Sequence, residues 1–131
     1  MATIVESIIT VLNDQTDADA LHDALLNAAF LFEKSRGLTP CCWPDEVCAA
    51  NLSREDVLRL QGAVVAYVER EDCGSWVLGK CFDPTLKPVL LRVLRRQLDG
   101  DTDELFQAMV ALDHLGEPVF GEVHSRSMAS Q

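Results

Sequence analysis

Apolar residues recur along this chain three and four positions apart, and strict alternation is nearly absent, so the pattern is that of amphipathic helices rather than strands. Ile4, Val5, Ile8, Ile9 and Leu12 put one oily face on residues 3–12. After a polar break, Leu21, Leu25, Ala28 and Phe32 predict a helix over 20–35. Asp17 or Asp19 is placed to cap its start, Lys34 and Arg36 suit its C-terminal dipole, and Gly37 supplies a left-handed cap. Residues 38–52 are the least regular part. Pro40 and Pro44 flank Cys41, Cys42 and Trp43, and the stretch from Asp45 to Ala50 has room for one turn or a short helix.

Ser53, with Glu55 and Asp56 behind it, predicts the start of a helix reaching about Glu71. Its apolar set of Val57, Leu58, Leu60, Val64, Val65, Tyr67 and Val68 is wide enough to imply packing on more than one side, and Gly74 is expected to close it. A shorter helix over 75–82 carries Trp76, Val77 and Leu78. Asp83-Pro84 then opens another, distorted in its first turn or beginning at Pro88, with Leu86, Leu90, Leu94 and Leu98 four apart. The last clear helix spans 102–115 and stops at Gly116. The expected fold is all-α, with about six to eight helices joined by short connections. At 131 residues the chain is expected to form one domain over 1–124, with 125–131 as a flexible tail.

Charge sharpens this picture. The formal net charge of -10 argues against nucleic acid as a partner, because neutralising phosphates needs a basic footprint. Its distribution is blocked: residues 1–33 hold six acids and no Lys or Arg, and 73–98 hold five bases against Asp83. Residues 99–122 return to seven acids and no base. Such blocks predict a positive band between two negative regions, and an acidic face of that kind steers a basic partner. Charged residues interrupt every apolar run before it reaches membrane-spanning length, and Met1 to Asn13 lacks a basic leader, so a cytoplasmic protein with no membrane partner is expected.

A recurrence at 34 residues ties the C-terminal helices together. Val77-Leu78-Gly79-Lys80-Cys81-Phe82-Asp83-Pro84 is echoed by Ala111-Leu112-Asp113-His114-Leu115-Gly116-Glu117-Pro118, each an apolar helical stretch ending in an acid and a proline. Residues 75–98, with Leu78-Gly79 before Asp83-Pro84-x-x-x-Pro88, resemble one HEAT-type repeat. That resemblance implies a short α-solenoid of stacked helix pairs that chiefly binds other proteins. The stretch from Glu104 to Phe120 resembles the ends of small bacterial immunity proteins, which implies neutralisation of a toxin.

Candidate chemistry is sparse. The cysteines, Cys41, Cys42, Cys48, Cys73 and Cys81, are separated by 0, 5, 24 and 7 residues, not the paired short spacings of a zinc site, and are expected to be reduced and mostly buried. Asp99-Gly-Asp101-Thr-Asp103 opens like a calcium loop, but Glu104 and Val110 stand where Gly and Glu are required. His22, His114 and His124 are dispersed, and no nucleophile, phosphate-loop or dinucleotide motif is present. No catalytic residue, metal or cofactor is expected. The sequence points to a protein-binding module, in its most specific form an immunity protein. The contacts would come from Asp99, Asp101, Asp103 and Glu104, or from Asp14, Asp17, Asp19 and Asp23, with Trp43 as an apolar anchor. A thiol or metal protein centred on Cys41, Cys42 and Cys48, and an adaptor subunit of a larger complex, are the alternatives.

Overall fold

A computed structural model describes residues 3–14 and 17–120. Seven α-helices and no strand are found among them: α1 (Ile4–Asp14), α2 (Ala18–Ser35), α3 (Asp45–Ala49), α4 (Arg54–Glu71), α5 (Ser75–Leu78), α6 (Lys87–Arg96) and α7 (Thr102–His114). A 3-10 turn, Pro84–Leu86, leads into α6. The expected tail, residues 125–131, and His124 lie outside the described residues.

The caps explain where the helices begin. The Asp17 carboxylate accepts from the Asp19 N–H at 2.9 Å, and Asp101 accepts from Asp103 and Glu104 at 2.8 and 3.2 Å. Ser53 and Asp56 form a reciprocal capping box at the start of α4. Asp83 holds the Thr85 N–H and so begins the 3-10 turn, which absorbs Pro84 and lets α6 start at Lys87 rather than at Pro88. The end of α4 differs from expectation: Asp72, not Gly74, takes the left-handed closing conformation, at φ 56°. Gly74, at φ 89°, opens α5 instead, and a side chain there would meet Leu25 and Tyr67 at 3.6 Å. The short helix expected over 75–82 ends at Leu78 and continues as turns.

The helices form a small bundle around one apolar core, with Phe32, Leu60, Leu78, Leu90 and Leu112 among the fully buried side chains. α1 packs on α2, α4 on α5 and α6 on α7. Laterally α1 meets α4, which meets α6, while α2 meets α5, which meets α7. The wide apolar face of α4 is accounted for, since it touches α1, α2, α5 and α6. Two leucines of the apolar pattern are exposed rather than buried: Leu58 on α4, at 53%, and Leu98 just beyond α6, at 62%.

The irregular segment is tied down by one cation. The Lys34 ammonium, at the end of α2, donates to the carbonyls of Val47, Cys48 and Ala50, the last turn of α3. Its three hydrogen bonds to carbonyls at the C-terminal end of α3 dock this five-residue helix, which is too short to persist on its own propensity.

Candidate functional site

Three connections, α1 to α2, α4 to α5 and α6 to α7, come to the same end of the bundle. The Arg70 guanidinium in the last turn of α4 donates to the Leu12 carbonyl in the last turn of α1, at 2.8 Å. Arg96, closing α6, pairs with Asp72 just past α4 at 2.8 Å, and Gln97 donates to the Asp72 carbonyl at 3.3 Å. Glu104, in the first turn of α7, accepts from the Ser75 hydroxyl at 3.2 Å and from the backbone of Gly74 and Ser75 at the start of α5.

This arrangement gathers the two acidic groups that the sequence left as alternatives. Asp14, Asp17 and Asp19 come from the first connection and Asp99, Asp101 and Asp103 from the third; all six are exposed. Between them lie Glu71 and Asp72, which sequence reasoning did not single out. Their signal was available in the acidic run that ends α4, but only the fold brings that run beside the others. Asp23 does not join them. It lies a turn further along α2, lining a shallow groove with Ser7, Asn27 and Glu46.

The acids at this end do different things. Asp17 and Asp101 cap helices, and Glu104 is spent on α5: burial pushes its carboxyl above the usual range, against the hydrogen bonds from Gly74 and Ser75 that pull it down. Asp14, Asp19, Asp99 and Asp103 make no ion pair among the described residues. Gln97, one of two buried polar residues among the described residues, braces the third connection, accepting from the Asp101 N–H at 2.9 Å while donating to the Asp72 carbonyl.

The expected positive band is not free. Lys80 pairs with Glu33, Lys87 with Glu117, Arg92 with Glu69 and Arg96 with Asp72, which leaves Arg95 of that block without an ion pair among the described residues. The bases of 73–98 tie helices together, and the acidic end keeps its net charge.

The opposite end carries an aromatic stack. The Arg36 guanidinium lies 3.7 Å over the Phe82 ring, which stacks on His114 at 4.9 Å and 13°. Phe82 adopts φ 50°, unusual for a bulky residue. Trp43 is half-buried against the core, with its indole N–H fully enclosed and without a partner, so its ring packs rather than projects as a free anchor. The cysteines also depart from expectation: Cys41, Cys42 and Cys48 are exposed, and only Cys73 and Cys81 are half-buried. Burial pushes the Cys81 thiol up to about 12. No group of three His, Cys, Asp or Glu side chains among the described residues is arranged to hold a metal ion.

No family model matches this chain, and no curated protein or solved structure matches it either.

Proposed function

We propose that this chain is a non-catalytic protein-binding module whose acidic end receives a basic protein, and that it acts as an immunity protein masking a basic toxin domain. The observation that carries this reading is the placement of acids where folding does not favour them. Asp14 is the last residue of α1 and Asp99 follows α6, and neither makes an ion pair among the described residues, whereas Glu71 and Asp72 at the end of α4 are paired with Arg70 and Arg96. A negative charge at a helix C-terminus opposes the macrodipole and costs about 0.3–1 kcal/mol. Helix capping explains Asp17, Asp101 and Glu104; neither capping nor ion pairing explains Asp14 and Asp99.

A convergent acidic surface suits a basic partner because complementary fields raise association rates and reject wrong partners. The order of helix contacts, α1–α4–α6 beside α2–α5–α7, is compatible with stacked pairs and supports the HEAT-like solenoid as the scaffold of this proposal. The adaptor-subunit reading uses the same surface with a different partner. The test is co-expression with the toxic product of a neighbouring reading frame. Growth should be rescued by the wild-type chain and not by a variant carrying Asp14→Asn, Asp19→Asn, Asp99→Asn and Asp103→Asn. Equal rescue by that variant would remove the acidic end from the account.

One observation favours a second reading. The exposure of Cys41, Cys42 and Cys48 on one loop and the helix after it leaves a thiol function open to solvent, with the Cys48 thiol 3.9 Å from the Trp43 carbonyl. Stoichiometric metal in the purified protein would favour that reading over the acidic surface.

A further inference from the structure

Two open cavities beside α1 join into one groove. The first, about 490 Å³, lies between the start of α1 and the α3–α4 connection, with Ile4, Ala49, Ala50 and Leu52 among its walls. The second, about 160 Å³, lies between α1 and α2 and is lined by Ile8, Val11, Ala20 and Ala24. Ile4, Ser7 and Glu46 belong to both. From Ile4 to Val11 the groove follows α1 for about 10 Å, at about 1.5 Å per residue.

The walls are largely apolar and the charges have one sign. Asp23, Glu46 and Asp56 line the groove, and no Lys, Arg or His among the described residues does. Asp56 is spent on the α4 capping box and on Arg59. Asp23 and Glu46 are exposed and make no ion pair among the described residues. Asp23 also lies past the first turn of α2, where a carboxylate would favour the helix. Lys34, which reaches α3 from α2, gives its ammonium to the carbonyls of Val47, Cys48 and Ala50 instead.

We propose that this groove receives a basic amphipathic helix of another protein, with its apolar face on Ile4, Val11 and Leu52 and a Lys or Arg beside Asp23 and Glu46. The groove shares no residue with the acidic end and does not depend on that end's role. Unpaired carboxylates attract cations and reject an anionic membrane surface. The cavities are too open for a small molecule, whose sites bury about 70–90% of its surface. An extended segment would leave main-chain groups unpaired, since no strand edge exists among the described residues to meet them. A helix satisfies its own main chain and packs on α1 and α2 as ridges into grooves. Two turns of helix match the length along α1. Such a contact is smaller than the about 800 Å² per partner of a standard interface, so micromolar dissociation is expected.

The probe is a dye-labelled peptide of about 14 residues, with Leu on one helical face and Lys on the other, compared with a twin carrying Glu for Lys. By fluorescence anisotropy the wild type should bind the Lys peptide in the micromolar range and ignore the twin. Asp23→Lys with Glu46→Lys should weaken binding about tenfold or more. Asp14→Lys with Asp99→Lys, an equal change in net charge at the acidic end, should leave it within about twofold. Ser7→Trp, which fills the groove from an exposed position, should abolish binding with the helical signal intact. A wild type that ignores the Lys peptide overturns the proposal. So do equal losses from the two charge reversals, which would leave only long-range attraction, and so does undiminished binding by Ser7→Trp.

Discussion

The guanidinium of Arg70 donates to the main-chain carbonyl of Leu12 at 2.8 Å, fastening the last turn of α4 to the last turn of α1 across 58 residues of sequence. That bond satisfies one of the orphan carbonyls of α1 and fixes the level at which the acidic connections meet. Arg70→Ala should therefore lower unfolding free energy by about 1.5–3 kcal/mol, the range for a hydrogen bond to a charged group. Urea denaturation measures it, and Arg70→Lys should recover only part of the loss because a single ammonium lacks the fork.

Asp14 offers a stability–function trade. Removing its charge from the end of α1 should stabilise the fold by about 0.3–1 kcal/mol. The same Asp14→Asn change should weaken binding to a basic partner and flatten the salt dependence of its association rate. A variant that is both less stable and equally well bound would show that Asp14 serves the fold.

The thiols should divide by exposure. In native buffer Cys41, Cys42 and Cys48 should react quickly with a thiol reagent, while Cys73 and Cys81, half-buried and pushed above the ordinary thiol value, react only on unfolding. Counting reactive thiols before and after denaturant checks this. The Cys81 shift also predicts the alkaline limb. The unfolded thiol ionises near 9 and the folded one near 12, so the unfolded state loses protons first and stability falls between those values. Cys81→Ala should lessen that slope.

On the acid side, Asp83 is held below the usual carboxylate range, first by the Gln61 side-chain amide at 2.8 Å and then by the Thr85 N–H. Its folded value lies below its unfolded one, so its contribution is present above about 3.8 and is lost as the pH falls through the folded value. Glu104 has the opposite sign, since its raised carboxyl favours folding once protonated. Comparing wild type with Asp83→Asn and with Glu104→Gln across the acid range separates them. The first variant should lose less stability on acidification than wild type, and the second should lose more.

How much of this was readable beforehand follows from what each residue's role depends on. Helix starts at Ser53, Asp17 and Asp101 and stops at Gly37 and Gly116 were legible because capping is local: donor and acceptor lie within three residues. The reversal at Asp72 and Gly74 was not. Both residues turn left-handed, and that one closes α4 while the other opens α5 follows from α5 packing on α2, α4 and α7, which lie elsewhere in the chain. The burial of Trp43 depends on α3 being held by Lys34, a contact made 13 to 16 residues away. The acids were visible one by one, but their meeting was not, because Arg70, Arg96, Gln97 and Glu104 set it through non-local bonds.

Hydrogen exchange on the complex with its cognate partner tests the central claim most directly. The account predicts that amides of residues 12–14, 17–20, 70–76 and 97–104 gain protection together on binding, as one surface. Protection that falls instead around Arg36, Phe82 and His114, with those three connections unchanged, would contradict it.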